Sequence, residues 1–500
     1  MDPTVVETAA GYVQGRRSRD GDVVLFRGIP FAAPPVGRLR FRPPQPPAPW
    51  PGVRDATSYG PSAPQNPGVM ERLWGGENVV SEDCLTLNVW TNGGGDRRRP
   101  VLVWIHGGGF MTGSGSIPWY DGRTFVRSGD AVVVSLNYRL GPLGFLHLAD
   151  LGGEAYASSG NCGILDQVCA LRWVRDNIAN FGGDPANVTV FGESAGGMSV
   201  GTLLGLPAAR GLFRRAIPQS GACANVSSRE FATRVAVETL EALGLPPGDP
   251  SPLQSMPFEQ LLVAQEVVAS RYSGRALAYQ PVVDGVALPQ APLDAVAAGS
   301  AADVAVLCGT TLEEMKLFSL LDAAQEEVDP DVVVERARVF LGDRAPAMVE
   351  LYQRSRPGAS GTDIWTAMAT DLVFRIPAIR LLEAQSSVAT ECWAYLFTMR
   401  STAFGGALGS CHGMEIPFVF DNLSRAGVEL FTGNPPGGPE LAARMHRAWM
   451  AFAASGDPAH DDLPPWPRYE TGRRATMELG SPCRVLDDPM GDERAAWAAL

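Results

Sequence analysis

Residues Val188-Thr189-Val190-Phe191-Gly192-Glu193-Ser194-Ala195-Gly196-Gly197-Met198 decide how the rest of the chain is read. Four apolar or β-branched residues in succession suit a strand covered on both faces, and the apolar stretch from Met198 to Leu206 suits a helix. Between them lies G-x-S-x-G, whose glycines permit the tight strand-to-helix turn that lifts a serine hydroxyl clear of a sheet. The helix would also turn its positive dipole end toward that serine. Ser194 is therefore the candidate nucleophile.

Working outward, further buried runs flank this segment. They are Leu85 to Trp90, Val101 to Ile105, Ala131 to Leu136 and, much later, Val304 to Cys308, while Leu165 to Ala179 repeats its apolar residues at helical spacing. Strands alternating with helices predict an α/β fold around a mostly parallel sheet. Residues 11–24 alternate like hairpin strands and residues 30–51 form a proline-rich loop. Two stretches of mostly helical pattern, near 220–300 and 320–390, read as insertions over the sheet. No internal repeat and no Gly/Ser-rich or charged linker divides the chain, so residues 1–500 are expected to form one domain.

Composition removes several alternatives. The chain has 500 residues, 45% of them hydrophobic, and a formal net charge of -13, which disfavours a nucleic-acid partner. Lys316 is its single lysine, and the segment Glu313-Glu314-Met315-Lys316-Leu317 matches no phosphate-binding loop, Schiff-base or Ser-x-x-Lys setting. The eight cysteines lack C-x-x-C spacing, so neither zinc nor a disulfide scaffold is expected. Met1-Asp2-Pro3-Thr4 opens without an apolar leader, and no stretch is apolar for long enough to span a bilayer. The expectation is a soluble, cytoplasmic protein that needs no cofactor or metal.

A serine nucleophile needs a base and a place for negative charge. Strand residue Ile105 opens into His106-Gly107-Gly108-Gly109-Phe110. Consecutive glycines leave backbone N–H groups uncovered, and the N–H groups of Gly108, Gly109 and Ala195 are the candidate oxyanion donors. Of five histidines, His106 and His147 precede Ser194, His446 falls on an amphipathic helix and His460 in a polar loop; both of the last two read as solvated. His412, in Gly409-Ser410-Cys411-His412-Gly413, remains as the base. The acid should follow a sheet strand, and both Glu313 and Glu314 come after Val304 to Cys308; spacing does not separate them, and Asp284, Asp294 and Asp303 compete more weakly.

Several motifs in order give the chain a resemblance to the type-B carboxylesterase/lipase family, which includes cholinesterases and bacterial p-nitrobenzyl esterases. They include Phe26-Arg27-Gly28-Ile29-Pro30-Phe31, Ser81-Glu82-Asp83-Cys84-Leu85, Asn137-Tyr138-Arg139-Leu140-Gly141, Gly160-Asn161-Cys162-Gly163, Phe181-Gly182-Gly183-Asp184-Pro185 and the Ser194 motif. The resemblance implies an α/β-hydrolase fold and a Ser194, His412, Glu314 triad, with Glu313 in place of an aspartate neighbour. It implies that Glu193 is a buried glutamate beside the nucleophile and that Ser220 hydrogen-bonds the acid. Met315 departs from the family's usual glycine, and no cysteine precedes Cys84 to close the loop disulfide of secreted relatives. Trp74 stands where cholinesterases carry a cation-binding tryptophan; without that disulfide it reads as a rim aromatic. Phe110, Phe318, Trp119 and Phe404 are further candidates for an apolar substrate wall, each with a plain core reading of at least equal weight.

The expected activity is two-step hydrolysis of a small ester through an acyl-enzyme, with kcat/KM rising through a histidine pKa of roughly 6–7. Acyl transfer or lactone formation, amide or carbamate cleavage and a non-catalytic binding scaffold are the competing readings. Oligomeric state and substrate identity are not legible in the sequence.

Overall fold

Strands made wholly of apolar or β-branched residues have no face to offer water, and they come to lie in the middle of a layered molecule. The computed structural model describes residues 3–68, 79–93, 97–321 and 328–500, and it is organised around such strands. In chain order the strands, buried and peripheral together, are β1 (Val5–Thr8), β2 (Gly11–Gln14), β3 (Arg16–Arg17), β4 (Val24–Pro30), β5 (Val53–Asp55), β6 (Thr86–Thr91) and β7 (Arg99–Ile105). They continue with β8 (Val132–Leu136), β9 (Gly183–Glu193), β10 (Arg215–Gln219), β11 (Ala305–Thr311), β12 (Cys392–Phe397), β13 (Ala475–Leu479) and β14 (Arg484–Asp487).

Among the described residues, β1, β2 and β5 form a small sheet, and an eleven-stranded sheet runs β14-β13-β12-β11-β10-β9-β7-β8-β6-β4-β3. From β8 to β13 neighbours are parallel, and antiparallel pairs occur only toward the two edges. This is the α/β-hydrolase architecture that the resemblance implied. Strand period two then sorts the core. Val101, Val103 and Ile105 of β7 join one apolar cluster, while Leu102 and Trp104 join another across the sheet.

Helices cover both faces, among them α1 (Cys162–Asn177) and α2 (Ala195–Gly205). The stretches expected to be helical insertions contain α3 (Arg229–Ala242), α4 (Phe258–Tyr272), α5 (Pro330–Leu341), α6 (Ala345–Ser355), α7 (Gly361–Thr370) and α8 (Ile376–Ser386). A C-terminal helix, α9 (Gly491–Ala498), packs Trp497 into a third apolar cluster with Met348, Tyr352 and Ile364. No helix among the described residues is long and apolar enough to cross a membrane.

Along one face, helix α2 meets its neighbours with no side chain between. A Cβ built at Gly196 would fall 2.0 Å from the Ile105 carbonyl oxygen, and one at Gly197 2.4 Å from that of Gln219. One at Gly201 would lie 2.5 Å from the Ala222 carbonyl and one at Gly205 2.6 Å from Pro292 Cα. Glycines at four-residue spacing thus give α2 a bare face that touches backbone directly.

Candidate active site

Strand β9 delivers Ser194 at a sharp turn where φ is 57° and ψ −126°, a conformation that costs an L-residue about 1–3 kcal/mol and must be held from outside. Two backbone bonds hold it. The Ser194 N–H donates to the Gln219 carbonyl at 3.0 Å, and the Ser194 carbonyl accepts from Met198 N–H at 2.8 Å. Ala195 is the first residue of α2, so its N–H has no partner within the helix.

The loop after β7 lies over this turn. A Cβ at Gly107 would come within 3.0 Å of Ser194 Cβ, and Gly108 and Gly109 have φ of 109° and 61°. Those left-handed values let the loop fold back so that the Gly108 carbonyl accepts from Met111 and Thr112 N–H, at 3.1 and 3.0 Å. The N–H groups of Gly108, Gly109 and Ala195 donate to no acceptor among the described residues. His106 anchors the loop from below. Burial pushes its pKa down to about 4, its Nδ1 meets the Gly107 carbonyl at 2.9 Å, and its ring stacks on Tyr138 at 4.5 Å.

Two loops bring the other partners. Of the two glutamates that spacing could not separate, Glu314 has its Oε2 2.6 Å from His412 Nδ1, and its Oε1 accepts from Thr311 N–H at 2.7 Å. Glu313 turns away, accepting from Lys316 at 2.7 Å, Arg400 at 2.6 Å and the Ser410 N–H at 3.0 Å. It thereby ties the loop after β11 to the loop carrying His412, and Glu313 N–H donates back to the Ser410 carbonyl at 2.9 Å. His412 Nε2 has Glu193 Oε1 3.1 Å away and makes no hydrogen bond among the described residues.

Three buried carboxylates, Glu193, Glu314 and Glu415, surround the imidazole. Burial opposes a charged ring, but these carboxylates outweigh it, and His412 is pushed up to about 9, above the range of 6–7 expected from sequence. Burial raises Glu193 to about 7, with His412 opposing and Glu314 adding to the rise. Burial, reinforced by Glu193 and Glu314, holds Glu415 well above the carboxylate range. Sequence reading passed over Glu415, although its place three residues after His412 was a usable signal. It also passed over Phe374, whose ring lies 4.7 Å from that of His412; nothing local in its helical segment marks it.

Several expectations need correction. Ser220 is fully buried, but its Oγ has no hydrogen-bond partner among the described residues, and Glu314 takes its two bonds from Thr311 N–H and His412 instead. Phe110 is a core residue, wholly buried with its ring edge-on to Phe145 at 5.0 Å, and Trp119 is likewise buried with its Nε1–H on the Ala426 carbonyl. His446 is not solvated. It is buried, with Nδ1 3.0 Å from the Val419 carbonyl and Nε2 2.6 Å from Ser128 Oγ. His460 is half-buried, with Nε2 3.0 Å from the Arg444 carbonyl. Phe318 does lie beside the histidine, 40% exposed with its ring 5.2 Å from that of His412, whereas Phe404 stands out on the surface. Trp74 lies outside the described residues.

A serine at the tip of a strand-turn-helix, uncovered N–H groups beside it and an imidazole oriented by a carboxylate form the layout used for acyl transfer. The family model described as Carboxylesterase family matches residues 2–497. The chain belongs to that family. Para-nitrobenzyl esterase of Bacillus subtilis (strain 168) is 39% identical over 503 residues, covering 99% of this chain and 98% of that protein. Phenmedipham hydrolase of Pseudarthrobacter oxydans is 38% identical over 492 residues, covering 95% of each. The crystal structure of a Geobacillus stearothermophilus carboxylesterase superposes with a TM-score of 0.89 at 43% identity, covering 99% of this chain and 100% of that one. The protein is a carboxylic ester hydrolase of the serine class.

Proposed function

We propose that Ser194, His412 and Glu314 carry the ester hydrolysis, with Gly108, Gly109 and Ala195 N–H receiving the oxyanion and small aryl or alkyl esters as substrates. The observation that supports this most is the 2.6 Å contact between Glu314 Oε2 and His412 Nδ1. A carboxylate there fixes the proton on Nδ1 and leaves the Nε2 lone pair as base. His412 takes the Ser194 proton as Oγ attacks the ester carbonyl, and the negative oxygen comes to rest on the three N–H groups. His412 then protonates the leaving alcohol, and water repeats the sequence to release the acid. Phe318 offers an apolar surface for part of the substrate at the histidine.

A reducing, cytoplasmic setting belongs to the same proposal, supported by eight free cysteines including the buried Cys84. Eight titratable thiols in protein denatured after purification without reductant would agree with it; fewer would not. The activity is tested by initial rates on p-nitrophenyl esters of two to twelve acyl carbons, for wild type and Ser194→Ala. Saturable hydrolysis lost in the variant is expected, and turnover that survives the substitution would overturn the nucleophile assignment.

A further inference from the structure

Between α7 and α8 the helix widens for one turn, and Asp371–Arg375 form π-helix. Such turns are rare because their hydrogen bonding is poorer, and one extra residue rotates everything beyond it by about 100° around the axis. The rotation has a visible consequence in this chain. Phe374, in the π turn and almost wholly buried, rests its ring 4.7 Å from that of His412 at 38°, within the range of favourable aromatic contact. One residue before the turn, Thr370 Oγ1 accepts from Met315 N–H at 3.2 Å, directly after Glu314. The same turn therefore touches the segments carrying both the base and the acid.

Side chains on its other side hold the turn. Arg375 grips Asp371 with two bonds, Nε to Oδ1 at 2.5 Å and a terminal nitrogen to Oδ2 at 2.6 Å. Tyr352 of α6 donates its hydroxyl to Asp371, and Trp497 of α9 donates its indole N–H to the Tyr352 oxygen at 2.7 Å. Glu493 of α9 lies 3.6 Å from Arg375 and is itself held by Arg356 and by Ser355 Oγ at 2.6 Å. Asp371, Arg375, Tyr352, Glu493 and Trp497 are all buried. A cluster of buried, paired charges is an expensive way to hold one helix turn, and replacing it by apolar residues would be the cheaper route to stability alone.

We propose that Asp371, clamped by Arg375 and Tyr352 and latched through Trp497 to the C-terminal helix, is a positioning residue that keeps Phe374 against His412. This deepens the proposed function and rests on His412 being the base. In that role the clamp limits the imidazole to orientations in which Nδ1 meets Glu314 and Nε2 is presented to Ser194. Slackening it lowers kcat and leaves substrate affinity almost untouched.

The test is a double-mutant cycle on the full chain, with p-nitrophenyl acetate as substrate and kcat referred to titrated active sites. Tyr352→Phe keeps the ring and removes the bond to Asp371, and Phe374→Leu removes the ring on the histidine. Each is expected to lower kcat roughly ten- to a hundredfold, as small misplacements of a reacting group do, with KM changed little. The double variant is expected to be no slower than the slower single one, since both act through one contact. A fall in Tm with kcat unchanged, or losses that multiply, would overturn the proposal. Should Tyr352→Phe fail to fold, Trp497→Phe loosens the same tyrosine from one step further away and is read in the same way. Activity surviving in Ser194→Ala would instead sink the underlying triad reading, so the two failures are told apart.

Discussion

Substituting alanine at two adjacent glycines separates the oxyanion role of their loop from its mere flexibility. A Cβ at Gly108 would lie 2.2 Å from the Thr112 carbonyl oxygen and 2.7 Å from Thr112 Oγ1, closer than non-bonded atoms approach. The Gly108 carbonyl already accepts from Met111 and Thr112 N–H, so the turn is closed and has no slack. Relief requires the loop to open by about 1 Å, and oxyanion donors act only at roughly 2.7–3.1 Å. The Gly108→Ala variant should thus lose at least one donor and fall roughly 10²–10³-fold in kcat, or about 2.7–4 kcal/mol. Gly109 has φ of 61° and, among the described residues, nothing within 4 Å of a built Cβ. Alanine there bears the ordinary left-handed cost of about 1–2 kcal/mol, a loss of stability with most of kcat retained. Initial rates on p-nitrophenyl acetate, normalised to titrated sites and paired with thermal melts, measure both. A folded Gly108→Ala with wild-type kcat, or equal losses in the two variants, would refute the reasoning.

Two further outcomes follow from the charges. His412 is held near 9 by neighbouring carboxylates, so kcat/KM should climb with pH through a midpoint above the ordinary histidine value, as the ring gives up its proton. Glu193→Gln removes a negative charge 3.1 Å from Nε2, which disfavours imidazolium and should move that midpoint down by about one pH unit, with 1.36 kcal/mol per unit; an unmoved or rising midpoint contradicts it. Arg139 and Asp166 form a buried pair with bonds of 2.8 and 2.6 Å, and Asp166→Asn strands the guanidinium at a cost of about 3–5 kcal/mol. For 500 residues that is a Tm lower by only about 3–5 °C, readable in a calorimeter, and an unchanged Tm would argue against it.

The strands, the turn at Ser194 and the glycine loop were legible in the sequence because each is encoded by neighbours along the chain. Continuous apolar runs report burial on two faces, and glycine spacing reports a backbone that needs room. What lay beyond reach depends on which surfaces meet. Glu313 and Glu314 follow the same strand, so spacing leaves them equal; the resemblance points to Glu314, and only the fold shows what Glu313 does, bracing the loop of Ser410. An amphipathic helix suggested a solvated His446, yet Gly438–Ser455 packs that edge against Val419 and Ser128. Phe110 follows the glycines and so seemed to face substrate, but a φ of 61° turns its ring into the core beside Phe145. Phe374 meets the histidine from within an irregular turn, and no periodicity announces such a turn.

The bare glycine face of α2 also bears on how such an enzyme changes over evolutionary time. Where the glycines of α2 meet neighbouring backbone directly, few substitutions are neutral, so the platform under the serine offers selection little raw material. The helices spanning 229–272 and 330–386 meet their neighbours through side chains, and cores of that kind accept many exchanges of similar volume. Inheritance is thereby divided between a nearly immutable floor that keeps the reaction and pliable walls that renegotiate its scope. A lineage built this way can acquire new substrates without first losing its chemistry.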